Sequence, residues 1–186
     1  MSKEDALRVC PVERAGGLDN SVRRWLQNPQ KILASYVSDG MTVLDMGCGP
    51  GFFSLEMAKM VGESGEVIAV DLQEGMLNKV RHKIAGTQLE KRVALHQCHR
   101  DSIGVTNLVD FVLAFYMVHE VPNSDGLFRE LRSILKPNGK MLIVEPKFHV
   151  SPEAFEVMVS RLESIGLVVL ERPRVFFSRS VVLTAR

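Results

Sequence analysis

The sequence predicts a single α/β domain with a mostly parallel sheet covered by helices on both faces, and three observations predict it. The stretch Val43-Leu44-Asp45-Met46-Gly47-Cys48-Gly49-Pro50-Gly51-Phe52-Phe53 passes from an apolar lead through an acid and alternate glycines into an apolar run with helical spacing. That pattern reads as strand, tight turn and helix. Strand-like apolar runs then alternate with helical patterns over roughly 140 residues, as parallel strands joined by crossover helices require. Finally, residues 167–170 and 180–184 are two strand-like runs about ten residues apart. That gap is too short for a crossover helix, so they pair as an antiparallel hairpin.

Each element has its own warrant. Residues 1–17 carry mixed polar residues, a Pro and a Gly pair, and read as loop or frayed helix. Asp19 can cap a short helix with Val22, Trp25 and Leu26 on its apolar side. Asn28-Pro29 starts another, with Pro at the first helical position, Ile32, Leu33 and Tyr36 on one face, and Asp39-Gly40 ending it. The chain thus divides into an N-terminal helical segment, residues 1–40, and a core, residues 41–186. The helix after the glycine turn spans about residues 51–61 and is apolar most of the way round, which predicts burial. Val67-Ile68-Ala69-Val70, ending at Asp71, is the continuous apolar run of a strand covered on both faces. A helix with Met76, Leu77, Val80 and Ile84 on its buried side follows, closed by Gly86. A short third strand lies at Val93-Ala94-Leu95-His96 and a fourth at residues 110–115. Leu127, Phe128, Leu131, Ile134 and Leu135 mark the next helix, which Pro137-Asn138-Gly139 stops before a fifth strand at residues 141–145. Ser151-Pro152 opens the last helix, with Phe155, Met158, Val159, Leu162 and Ile165 at helical spacing and Gly166 just past its end.

Composition narrows the function. The chain has 186 residues, enough for one sizeable core, and a net charge of +1 with acids and bases interspersed. No overall field therefore draws it to nucleic acid or to a membrane. No apolar run approaches a membrane span and the N-terminus lacks signal-peptide character, so a cytoplasmic protein is expected. The three cysteines, Cys10, Cys48 and Cys98, are odd in number and lack Cys-x-x-Cys spacing, so they read as reduced thiols. His96, Cys98 and His99 lie close together, but His99 would face away from the other two and no fourth ligand is placed. No metal is expected.

The glycine turn points to a ligand. Glycine lets the backbone take positive φ and lets a ligand approach the main chain, while the following helix start favours an anionic group. A dinucleotide fingerprint needs Gly or Ala where Phe52 stands, and a P-loop needs a Gly-Lys-Ser/Thr that is missing. Leu44-Asp45-Met46-Gly47-Cys48-Gly49-Pro50-Gly51 instead resembles the first motif of class I S-adenosylmethionine (SAM)-dependent methyltransferases. Ala114-Phe115-Tyr116-Met117-Val118-His119-Glu120-Val121, Leu135-Lys136-Pro137-Asn138-Gly139-Lys140 and Glu145-Pro146 are similar to runs in the ubiquinone and menaquinone biosynthesis methyltransferases and their small-molecule and arsenite-modifying relatives. This likeness covers about residues 41–146. It implies a Rossmann-like doubly wound sheet of order 3-2-1-4-5-7-6 with an antiparallel last strand, and SAM as cofactor.

Residue roles follow from both lines. Asp71 ends the second strand, where a carboxylate can accept from both hydroxyls of a ribose, or alternatively cap the next helix. Leu72 and Met76 would flank the adenine or ribose. Gly47, Cys48, Gly49 and Gly51 form the cofactor turn. The resemblance puts Asp45 beneath the methionine part of SAM, although an acid tying down its own turn is a close alternative. It also asks for an acid near the adenine amine, for which Asp101 is the candidate in a run that departs from the family pattern. Phe115 would face the cofactor. His119 is the candidate base, with Tyr116 beside it and Glu120 orienting the acceptor. Arg14, Trp25 and Tyr36 of the N-terminal segment are candidates for an acceptor pocket under a lid. The expected function is SAM-dependent methylation of a small molecule. The alternatives are a non-catalytic SAM- or nucleoside-binding domain and, less favoured, an NAD-dependent oxidoreductase. Acceptor, methylated atom and oligomeric state stay open.

Overall fold

The computed structural model describes residues 26–185. Arg14, Trp25 and the helix capped by Asp19 lie outside them. Seven strands form one sheet: β1 (Thr42–Met46), β2 (Glu66–Asp71), β3 (Val93–Gln97), β4 (Val109–Phe115), β5 (Leu135–Pro146), β6 (Leu167–Glu171) and β7 (Ser178–Ala185). Their order is β3-β2-β1-β4-β5-β7-β6. The first five pair in parallel, while β7 runs antiparallel to both β5 and β6. The order and the antiparallel hairpin are those expected from the sequence.

Among the described residues five α-helices cover the sheet: α1 (Pro29–Leu33), α2 (Ser54–Met60), α3 (Glu74–Ile84), α4 (Ser124–Ser133) and α5 (Pro152–Ser164). Strand alternation sends neighbouring side chains to opposite faces. Val43, Val67, Phe111 and Leu142 pack with Leu33, Met57 and Val80 of α1, α2 and α3. Leu44, Ile68, Val112 and Met141 pack with Phe128 of α4 and Phe155 of α5. Strands buried on both sides explain the unbroken apolar runs. The caps read from the sequence are present: the Asn28 side chain accepts from Lys31 N and the Ser151 hydroxyl from Ala154 N.

Three boundaries differ from expectation, the first being that α1 ends at Leu33, so Tyr36 lies beyond it, rather than at Asp39-Gly40. The helix after the glycine turn begins at Ser54 rather than near Gly51, because Gly51 is held at φ 86, outside the helical region. Strand β5 begins at Leu135 rather than Met141. Its pairing jumps from Val109↔Leu135 to Phe111↔Lys140, and Asn138, at φ 65, lies in the residues bulged out between. Asp110 secures the irregularity, accepting from Thr42 N at 2.9 Å and from Lys136 Nζ at 2.8 Å. A 3-10 turn at Gln88–Lys91, capped by Thr87, was not foreseen.

Candidate active site

A cleft opens at the carboxyl ends of β1, β2 and β4, where the strand order reverses. Its floor is the turn after β1. Gly47, Gly49 and Gly51 all take positive φ, at 69, 54 and 86. A Cβ on Gly47 would stand 2.9 Å from the Cβ of Met117, so the close passage of the β1 turn past β4 depends on glycine there. The turn is stitched to β2 by Cys48 N donating to Val70 O at 2.9 Å.

Asp71 forms one wall and is 8% exposed. Its Oδ2 accepts from Gly49 N at 2.9 Å and its Oδ1 from Gln73 N at 2.8 Å. Burial pushes the carboxyl up from its ordinary value, opposed by the hydrogen bonds from Gln73, Gly49 and Leu72. With three backbone donors on about four acceptor sites, the carboxylate keeps one lone pair for a hydroxyl in the cleft. The alternative of a helix cap is met in part: Asp71 bonds the Gln73 amide, while the N-cap of α3 is Gln73 itself.

Asp45 lies beneath the turn, 2% exposed, and accepts from Ser54 Oγ at 2.5 Å at the start of α2. Both described cysteines line the cleft. Burial, then the charges of Asp45 and Asp71, pushes the Cys48 thiol well up, and burial followed by Asp71 pushes Cys98 up to about 11. Neither is a thiolate at neutral pH. Among the described residues no group of His, Cys, Asp and Glu is arranged to hold a metal ion.

The structure brings Asp45, Gly47, Cys48, Gly49, Asp71, Leu72, Met76, Asp101, Phe115, Tyr116 and Glu120 to this one cleft. Gly51 does not line it and acts through the shape of the turn. Tyr36 is elsewhere: it stacks on Phe111, ring centroids 5.7 Å apart, and its hydroxyl donates to Glu171 Oε1 at 3.0 Å. His119 also turns away from the lining. Its Nδ1 meets Glu145 Oε2 at 2.5 Å, and its ring stacks on His149 at 5.2 Å. Burial works against the imidazolium, but the hydrogen bond and charge of Glu145, joined by Glu120, outweigh it and raise the His119 pKa.

Three contributors, Glu130, Ser178 and Gln27, escaped sequence reasoning. Glu130 of α4 lines the cleft and accepts from Ser102 Oγ at 3.1 Å and Ile103 N at 2.9 Å, shaping the loop that carries Asp101. Tyr116, at φ 61, points its phenol to Ser178 Oγ at 2.5 Å and receives Gln27 Nε2 at 2.5 Å. Because Ser178 Oγ donates to Phe176 O at 2.9 Å, the phenol donates to Ser178 and accepts from Gln27. None of these partnerships has a local sequence signal, since each joins residues far apart in the chain.

The donor set fits SAM: a carboxylate with an acceptor site left for a ribose hydroxyl, apolar Leu72 and Met76 beside it, and a second carboxylate, Asp45, under the glycine turn for an ammonium group. A family model described as a methyltransferase domain matches residues 37–167. A demethylmenaquinone methyltransferase of Lactobacillus johnsonii is 34% identical over 117 residues, covering 62% of this chain and 48% of that protein. A Bacillus cereus protein of the same description is 28% identical over 123 residues, covering 66% and 51%. The chain thus spans about half the length of the curated relatives it matches. The crystal structure of a SAM-dependent methyltransferase from Aquifex aeolicus superposes with a TM-score of 0.83 at 30% identity, covering 94% of this chain and 98% of that one.

Proposed function

Since the chain belongs to the SAM-dependent methyltransferase family, we propose that it transfers the methyl group of SAM to a small-molecule acceptor. The observation that carries this reading is Asp71 facing the glycine turn across the cleft while Phe115, Tyr116 and Glu120 close the opposite wall. When bound, SAM supplies a methyl group already activated on a sulfonium. What remains for the protein is to hold cofactor and acceptor in line and to exclude water.

Asp71 grips the ribose, Leu72 and Met76 flank the adenosine, Asp101 meets the adenine amine and Asp45 faces the ammonium. Phe53 and Phe115, with ring centroids 4.4 Å apart, and Leu127 keep the wall apolar. Tyr116 positions the acceptor wall rather than moving a proton, since its hydroxyl hydrogen is engaged with Ser178. Glu120 orients the acceptor. His119 is the base: Glu145 fixes the proton on Nδ1 and leaves the Nε2 lone pair available. Because its ring lies outside the cleft lining, it serves an acceptor that extends over the Val118–Glu120 turn. Residues 1–40 act as a lid, a reading supported by the bond from Gln27 to Tyr116.

A near-neutral chain with interspersed charges supports a small acceptor rather than a nucleic acid. The free thiols of Cys48 and Cys98 suit the reducing cytoplasm. No helix among the described residues is long and apolar enough to cross a membrane. The demethylmenaquinone named for the two curated relatives makes a quinone-type ring the first acceptor class to try. Incubation with methyl-labelled SAM and a cell extract should place label in a low-molecular-weight product, with less than a tenth as much for Asp71→Ala. Label in macromolecules would overturn the acceptor class, and SAM binding without any labelled product would favour the non-catalytic reading.

A further inference from the structure

The chain has nine phenylalanines. Phe52, Phe53, Phe111, Phe115, Phe128 and Phe155 are buried, whereas Phe148, Phe176 and Phe177 are 69%, 51% and 62% exposed. These three share one place in the fold. Phe148 follows the end of β5 and Phe176-Phe177 precede β7, where Pro146 pairs with Ser178 and Lys147 N donates to Phe177 O at 3.1 Å. The rings of Phe176 and Phe177 lie 5.5 Å apart. Phe177 takes φ 54, a conformation that bulky residues rarely adopt, so its ring is held outward against a local backbone cost.

Charge gathers at the same place. Lys147, Arg172, Arg174 and Arg179 line a shallow groove with Phe176. Among the described residues the one carboxylate lining it is Glu156, held by both terminal nitrogens of Arg172 at 2.8 Å, while Glu153 lies within electrostatic reach of Arg179. Among the described residues Lys147 and Arg174 carry no ion pair. A near-neutral chain therefore has a local cluster of cations rimmed by three exposed aromatic rings. Apolar rings with adjacent lysine and arginine are the chemistry that rests at a bilayer interface, rings among the acyl ends of the headgroup layer and cations at anionic lipid phosphates. The cations complement the charge of an anionic leaflet, and the exposed rings stand at the same end of the sheet to enter it at the same depth.

We propose that this tip, Phe148, Phe176 and Phe177 with Lys147, Arg174 and Arg179, docks the chain reversibly on an anionic lipid surface. The tip stands at the same end of the sheet as the cleft and is joined to its wall through Ser178 and Tyr116. Docking therefore turns the acceptor side of the cleft toward the lipid and suits an acceptor dissolved in it. The lipid contact stands whether or not the methyltransfer reading does.

Flotation of the full chain with phosphatidylcholine vesicles, with and without phosphatidylglycerol, tests it. Binding should appear with phosphatidylglycerol, weaken at high salt, and be about tenfold or more lower on phosphatidylcholine alone. Phe148→Ser/Phe177→Ser and Lys147→Glu/Arg174→Glu should each lose about tenfold or more of the vesicle binding while SAM affinity and melting temperature stay at the wild-type values. Absence of binding to the anionic vesicles, or binding indifferent to both double variants, would overturn the proposal. So would concentration-dependent self-association that the phenylalanine variant abolishes, since the tip would then be a contact between two copies.

Discussion

The Asp71 carboxylate at the end of β2 accepts the backbone N–H of Gly49 at 2.9 Å across the cleft. The acid that would hold the ribose thus also holds the glycine turn at the height where a ligand meets it. Cofactor recognition and the shape of the turn share one side chain, and a substitution there disturbs both.

Asp71→Ala should weaken SAM binding by about 1–3 kcal/mol, the scale of a lost charge-assisted hydrogen bond. Adenosine should lose about as much, because the contact is with the ribose. Calorimetry with both ligands checks this, and unchanged adenosine affinity would take Asp71 out of the ribose site. Asp71→Asn should fall between, since its amide keeps one acceptor oxygen for two backbone donors.

Asp45 is buried and receives the Ser54 hydroxyl, itself 0% exposed, at 2.5 Å. Ser54→Ala removes one hydrogen bond from a buried carboxylate, and a loss of about 1–3 kcal/mol in urea unfolding is expected. Ser54→Thr should recover much of it by restoring the hydroxyl. A Ser54→Ala protein as stable as wild type would mean that the remaining contacts of Asp45 suffice.

The parts legible in the sequence were those whose signal is local. The strands themselves are read from apolar runs such as residues 67–70, and the position of Asp71 from a strand ending in an acid beside a glycine turn, whereas their order in the sheet was implied only by the family resemblance. What stayed hidden was long-range. Glu130 reads as an exposed acid on an amphipathic helix until the Ser102 loop folds against it. Ser178 reads as an ordinary strand residue until β7 inserts beside β5 and brings it to Tyr116. The cationic cluster is invisible to net charge, because Lys147 and Arg174 come from separate loops and are balanced elsewhere.

His119 and Glu145 make stability depend on pH. The folded pKa of His119 is raised above its ordinary value of 6.5 by Glu145, against the effect of burial. The pair's contribution is therefore fully present below the unfolded value, near pH 6.5, and is lost as pH rises through the folded value. His119→Gln should be destabilised relative to wild type on the acid side of that window, the difference shrinking as pH rises through the folded pKa of His119. Urea unfolding across the window checks the sign, and a difference that grows with pH would contradict the pairing. Histidine proton titration by NMR should show the His119 pKa falling in Glu145→Gln.

Gln27 donates to the Tyr116 hydroxyl at 2.5 Å, and Tyr116 lies on the cleft wall, so the start of the described chain is tied to the site by one polar contact. Lys31, exposed and only four positions further on, offers trypsin a cut in α1. If residues 1–40 form the lid, cofactor that packs against Phe115 and Tyr116 restrains Tyr116, which restrains Gln27, and opening at Lys31 becomes rarer. Trypsin cleavage at Lys31 should then slow several-fold when SAM is added, whereas Tyr116→Phe, which keeps the ring but removes the acceptor for Gln27, should lose most of that protection. Calorimetry on Tyr116→Phe separates this from loss of SAM itself. Cleavage at equal rates with and without SAM in the wild-type protein would mean that the segment does not close over the cofactor.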